Sequence, residues 1–244
     1  HTMGVTTREG VVEAIMAEKL QYRPGTESRY SDLGMITMAL VVEQITGQDL
    51  ATYTREQIFE PLGMYDTGFR PAGTPDSTIV PTEHDTFFRN RLLQGEVHDE
   101  VAWILGGTSG HAGLFSTAED LARFAHVLVN GGRAGGRQFV RPETIRLFTT
   151  PVDPGRHTRA IGWDTRSDEN SSAGQYLGPR SFGHTGFTGT SFWIDPDQDL
   201  FVILLTNRVY PTRDNSRHVP VRAAVADLAY QAIRPGPVPI LPAP

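Results

Sequence analysis

The chain predicts an α+β protein, and three observations carry that class. Helical apolar periodicity fills the first part, a stretch rich in Pro, Gly and charge occupies the middle, and consecutive apolar runs separated by turn residues follow residue 160. Grouping the strands near the C-terminus argues for an antiparallel meander closed by a helix, and against alternating βαβ units. With 244 residues there is ample chain for a core, and 39% apolar against 20% charged residues is a globular composition.

The elements follow in order. Thr6-Thr7-Arg8-Glu9 reads as a capping box, Thr6 capping and Glu9 reaching back, ahead of Val11, Val12, Ile15 and Met16 at helical spacing. Pro24-Gly25 breaks the chain. A second helix is expected over 33–46 with Gly47 as its stop, and a third over 49–59 ending at Pro61-Leu62-Gly63. Residues 70–107 read mostly as loop with a short helix near 87–93; so long a loop suits a substrate-binding lobe. Ser116-Thr117-Ala118-Glu119 is a second capping box, with Leu121, Phe124, Ala125 and Leu128 as the apolar face of its helix and Asn130-Gly131-Gly132 as its end. Pro142 suits the first turn of a short helix to Phe148.

Ile161-Gly162-Trp163-Asp164 is a strand candidate. Residues 182–186, 190–195 and 200–206 read as consecutive strands, with a turn at Pro196-Asp197-Gln198. The unbroken apolar run 200–205 predicts a strand covered on both faces. A last helix over 221–233 is expected to carry Val221, Ala224, Val225, Leu228 and Ala229 on one side. The tail, 235–244, is proline-rich and expected to be extended. Trp103, Trp163 and Trp193 read as core or pocket wall.

Composition narrows the chemistry. A net charge of -6 leaves no basic surplus for nucleic acid, and the absence of cysteine excludes disulfides, thiolate metal sites and cysteine nucleophiles. No apolar run reaches the ~18 residues of a membrane span. Lys19 is the one lysine among 22 basic residues, so a mechanism that needs a lysine uses Lys19 or one outside this chain. The first residue is His1; a start at Met3 behind a cloning scar and a piece of a longer chain both stay open. No metal or cofactor is expected.

Two stretches stand out. Tyr30-Ser31-Asp32-Leu33-Gly34 lies just before a helix, and Gly183-His184-Thr185-Gly186-Phe187-Thr188-Gly189 lies at a strand end and turn. Glycines beside His184 and Thr185 let a backbone or substrate approach closely, and a strand N–H there can face a developing oxyanion. The bland alternatives are a Gly-rich turn with a surface histidine and a packed tyrosine with its hydroxyl satisfied. Asn207 and Arg208 follow the last strand, where Arg208 either holds a substrate carboxylate or is a surface arginine.

Together these stretches resemble the serine β-lactamases of class C type and their relatives, the D-alanyl-D-alanine carboxypeptidases, penicillin-binding proteins and family VIII-type esterases. Flanking text agrees: Tyr22-Arg23-Pro24-Gly25-Thr26, Phe59-Glu60-Pro61-Leu62-Gly63-Met64, Gly113-Leu114-Phe115-Ser116-Thr117-Ala118-Glu119-Asp120-Leu121 and Leu204-Leu205-Thr206-Asn207. Gly95-Glu96-Val97-His98-Asp99-Glu100 and 182–190 look most like domains fused behind a family-three glycoside hydrolase. The resemblance implies a β-lactamase/transpeptidase-like fold: an antiparallel sheet flanked by helices (about 158–234) with a helical, loop-rich lobe (about 5–150). It also favours a periplasmic or secreted location.

The implied mechanism is acyl-enzyme formation by a serine in a Ser-Xaa-Xaa-Lys motif. Tyr30 takes the role of the proton-exchanging tyrosine, Asp32 stands where Asn is usual, His184 replaces the strand lysine, and Phe187 donates its backbone N–H to the oxyanion hole. Thr185, Gly186, Asn207 and Arg208 line the substrate. Two departures matter. The chain holds no Ser-Xaa-Xaa-Lys, since Met16 stands three residues before its only lysine. Asp32 cannot donate an amide N–H as Asn can, which weakens the case for β-lactams or peptides and leaves esters or another amide open; cell-wall peptides, small esters and β-lactams all stay in view as substrates. The expectation is therefore the C-terminal part of a serine hydrolase, its N-terminal portion missing, inactive as an isolated chain and exposing an open sheet edge. A second chain or a fused domain would supply the rest.

Other readings stay open. Gly107-Thr108-Ser109-Gly110-His111 approaches a nucleophile elbow, if Trp103-Ile104-Leu105 is a strand. His84, Asp85, His98, Asp99 and His111 form a loose metal-ligand set without helical spacing. A catalytically dead binding or sensor domain also fits a chain without its nucleophile.

Overall fold

The computed structural model describes residues 4–70, 78–167 and 169–233. The expected tail, 235–244, lies outside them. The chain divides into two units, His1–Arg123 with Val209–Asp214, and Phe124–Arg208 with Asn215–Pro244.

In the first unit, α1 (Arg8–Ala17) is capped by Thr7, whose Oγ accepts from Gly10 N at 3.1 Å, so the cap falls one residue after the expected Thr6. Thr7 is the residue in extended conformation just before the first helical turn, which is what capping requires. α2 (Asp32–Thr46) is capped by Ser31 and ends at Gly47, whose φ of 70° only glycine adopts at little cost. α3 (Leu50–Thr54) runs on through a π-turn and a 3-10 turn to Leu62, closing at Gly63. Val11 of α1, Ile36 of α2 and Leu105 make the buried cluster that joins these helices.

β1 (Gly68–Phe69) pairs with a later strand. The helix expected near 87–93 is instead a hairpin of β2 (Glu83–Asp85) and β3 (Arg91–Leu93). The cause is Asp85: its carboxylate accepts from the backbone N–H of Phe87, Phe88 and Arg89, and from the Arg89 side chain. That is helix-cap chemistry used to close a turn, and sequence alone does not separate the two. Asp99 then caps α4 (Glu100–Ile104) through Ala102 N at 2.8 Å. β4 (Leu114–Phe115) pairs antiparallel with β1.

The next helix, α5 (Ala118–Val129), carries the unit boundary within it. Thr117, not Ser116, receives its Asp120 N–H at 3.2 Å, while Ser116 Oγ bonds Thr67 Oγ1.

In the second unit, β5 (Arg133–Ala134) and β6 (Arg137–Gln138) form a small hairpin, and α6 (Pro142–Thr149) carries its proline in the first turn. The strand expected at 161–164 is displaced to β7 (Asp164–Thr165). It joins β8 (Phe182–Thr185), β9 (Ser191–Asp195) and β10 (Leu200–Leu204) in an antiparallel sheet of order β10-β9-β8-β7. Phe182, Ile194 and Ala125 build the core on one face; Trp193, Leu177 and Ala173 build it on the other. β10 has apolar neighbours on both faces but is the sheet edge, so all its residues except Val202 are only half-buried. Gly183 is required in β8: a Cβ there would stand 2.6 Å from the Trp193 ring.

α7 (His218–Ile233) closes the unit, and its most buried residues do not lie on that apolar side. Arg222 and Ala226 are buried, whereas Val221 and Leu228 are 44% and 50% exposed. Apolar count misassigns the face because Arg222 is drawn in by a backbone carbonyl, described next.

Candidate functional site

The first motif sits in the first unit. Ser31 Oγ accepts from Gly34 N at 3.2 Å, which starts α2 at Asp32 and leaves Tyr30 in the preceding loop, largely exposed. The Asp32 carboxylate lies in the first helical turn, where the helix dipole favours negative charge. Arg29 pairs with Glu27 and stacks over Tyr22.

The second motif sits in the second unit. His184 pairs with Phe192, and Thr185 with Ser191, across β8 and β9. His184 Nε2 lies 3.2 Å from Arg159 NH1, and its Nδ1 lies 2.8 Å from the Thr185 carbonyl. An arginine only donates and a carbonyl only accepts, so the network assigns the neutral tautomer with the proton on Nδ1. Arg159 also approaches Asp164 at 3.6 Å.

After Thr185 the chain makes a tight loop. Gly186 N donates to Thr190 O at 2.8 Å, and Gly189, at φ 120°, donates to Gly186 O at 3.1 Å. Arg222 NH2 donates to the same Gly186 carbonyl at 2.6 Å. Arg208 Nε donates to Phe187 O at 2.7 Å, and its guanidinium stands 4.1 Å from the centroid of the exposed Phe187 ring. Thr206 Oγ1 donates to Gly189 O at 2.6 Å, and Asn207 follows, half-buried. Arg208 therefore braces the turn that follows His184.

Two residues went unnoticed in the sequence. Arg222 had a legible signal, a charged residue inside an apolar helix. Arg159 had none, since only the fold brings it to His184.

The elbow reading fails on the fold: Trp103 and Ile104 belong to α4, so a helix and not a strand leads to Ser109. Those residues nonetheless form a relay. Ser109 Oγ bonds His111 Nδ1 at 2.8 Å, and His111 Nε2 bonds Asp99 Oδ1 at 2.8 Å. Ser109 and the His111 ring are buried, and Gly110 packs so tightly against the Met35 carbonyl that no Cβ fits. The relay ties the Gly-rich loop to α4.

Of the residues of the metal reading, His84 is exposed on β2 and the other four are engaged elsewhere. Asp85 closes its turn, and His98 Nε2 bonds the buried Glu83 at 2.7 Å. Burial alone would raise the Glu83 carboxyl, but hydrogen bonds from Arg213 and His98 hold it below its ordinary value. Among the described residues no group of three such side chains is placed to hold a metal.

Helices with antiparallel sheets in this arrangement are those of the β-lactamase/transpeptidase-like fold. A β-lactamase from Mycobacterium bovis matches 87% of this chain and 66% of its own, at 24% identity and a TM-score of 0.62. Simvastatin synthase from Aspergillus terreus matches 91% and 60%, at 20% identity and a TM-score of 0.66. The family model described as Beta-lactamase matches residues 1–227, and the chain belongs to that family. An Escherichia coli K12 protein named "Putative D-alanyl-D-alanine carboxypeptidase" is 35% identical over 223 residues, covering 85% of this chain and 51% of that one. The chain thus spans about half the length of the curated relatives it matches.

Proposed function

We propose that the chain is the C-terminal part of a serine hydrolase that works through an acyl-enzyme on an ester or amide. In this reading Tyr30 exchanges the proton of the nucleophile and Asp32 pairs with its lysine. His184 stands in for the strand lysine, and the Phe187 N–H meets the oxyanion. The observation that carries the reading is the braced turn after His184, with its carbonyls held by arginines in a chain of the β-lactamase family.

The nucleophile lies in a further segment, either in the same polypeptide or in a second chain. α2 supports this. Ile36 and Ala39 are buried on one side, yet Met35, Met38, Val41 and Ile45 are exposed on the other. A helix apolar all round belongs in an interior, and the relatives' extra length supplies something to cover it. We propose that the segment bearing Ser-Xaa-Xaa-Lys occupies that stripe.

The test is covalent labelling. Incubated with a fluorescent penicillin or a reactive ester, the 244-residue chain gives no adduct by intact mass spectrometry. An adduct on one of its own serines would sink the claim. A second reading, a binding or sensor domain without catalysis, is favoured by the absence of Ser-Xaa-Xaa-Lys in the chain. The coding sequence upstream of His1 separates the two: that motif there supports the enzyme.

A further inference from the structure

We propose that Arg222 is a positioning residue that aims the Phe187 N–H by holding the other end of its peptide group. The inference rests on the reading of Phe187 as an oxyanion donor and adds the device that sets its direction.

Arg222 lies on α7, 9% exposed, and NH2 reaches Gly186 O at 2.6 Å, the short range of a charge-assisted bond. Gly189 N donates to the same oxygen at 3.1 Å, so both lone pairs of that carbonyl are used and the peptide plane is fixed. The Gly186–Phe187 bond is trans, as the one cis peptide in the described chain is Tyr210-Pro211. In a planar trans peptide the N–H points opposite to the C=O. Fixing Gly186 O from the α7 side therefore directs Phe187 N–H away from α7. Arg208 repeats the device one peptide later, through Phe187 O.

The cost of this arrangement indicates its purpose. A buried guanidinium without a carboxylate is expensive, and Nε of Arg222 is buried with no partner among the described residues. An apolar side chain would fill the position at less cost. What arginine adds is orientation, and a cation at the carbonyl end that polarises the peptide so its N–H is a stronger donor. A donor fixed in advance needs no reorganisation when charge develops.

The test uses the whole chain, 15N-labelled, and methylphosphonate as a tetrahedral anion. In the wild type the Phe187 amide shift moves and saturates. R222Q lowers that response at least five-fold while the Trp193 and Ile194 amides stay in place. R222K, which keeps a charged donor, retains half of it or more. An R222Q response equal to wild type overturns the positioning role and leaves the oxyanion reading standing. A wild-type Phe187 amide that ignores the anion overturns both. Should R222Q not fold, the wild type decides: hindered rotation of the Arg222 guanidinium supports the proposal, and free rotation overturns it.

Discussion

Arg159 NH1 donates to His184 Nε2 across 3.2 Å, and together with the Thr185 carbonyl at Nδ1 this contact decides which nitrogen of the histidine carries the proton. The second unit thus presents the imidazole with a guanidinium behind it. Nitrogen-15 spectra of the wild type should show the Nδ1–H form predominating. R159M should raise the Nε2–H form measurably but leave Nδ1–H the major one, because the Thr185 carbonyl still accepts from Nδ1. Unchanged tautomer populations would remove Arg159 from the account.

Gly183→Ala tests how tightly β8 and β9 are packed. The new methyl meets the Trp193 ring and the Phe192 carbonyl in a buried position. Overpacking of this kind costs about 1–3 kcal/mol. Urea unfolding of the two proteins side by side should show that loss; a difference below ~0.5 kcal/mol would mean the sheet yields easily.

Asp99 serves two partners through one oxygen, the Ala102 N–H and His111 Nε2. Asp99→Ala should cost about 2–3 kcal/mol, roughly 1 for the cap and the rest for a buried ring left without an acceptor. Burial raises the Asp99 carboxyl, but the hydrogen bonds from His111 and the helix N–H groups outweigh it and hold it below its ordinary value. Its stabilising effect is thus complete above the unfolded value near pH 4 and is lost as pH falls through the folded one. Asp99→Asn should flatten that acid limb in thermal melts.

His218 gives a dependence nearer neutrality. Burial first, then the charges of Arg222 and Arg208, lower its value in the folded state. The unfolded chain then takes up the proton first, so stability is full above about pH 6.5 and declines as pH falls below it. H218Q should lose less Tm than wild type between pH 7.5 and 5.5. Equal losses would assign the slope to other groups.

The outer stripe of α2 predicts behaviour in solution. Charging Met38 and Ile45, as M38E and I45K, should change stability by less than ~0.5 kcal/mol, since both are exposed in this chain. It should also reduce self-association in sedimentation, and weaken capture of any added segment bearing the nucleophile. A large loss of stability would mean the stripe is already covered.

Helix α2, its Gly47 stop and the three strands after residue 180 were legible because each is fixed by neighbours in sequence: a cap, a left-handed glycine, apolar runs separated by turn residues. The hairpin at 83–93 was misread because Asp85 offers the same local chemistry to a turn as to a helix. The capping boxes slipped by one residue for a related reason, since adjacent Ser and Thr side chains present equivalent oxygens.

Sequence by itself determined the α+β class, the family motifs around Tyr30 and His184, and the absence of a Ser-Xaa-Xaa-Lys. These depend on residue identity and short spacing. Tertiary structure alone decided that Arg159 stands at Nε2 of His184 and that Arg222 and Arg208 hold the turn after it. It alone tied Ser109 to Asp99 through His111. Arg159 and His184 stand 25 residues apart, and Arg222 and Gly186 stand 36 apart. Contacts over such separations carry no local periodicity; they exist only once the sheet and α7 have packed.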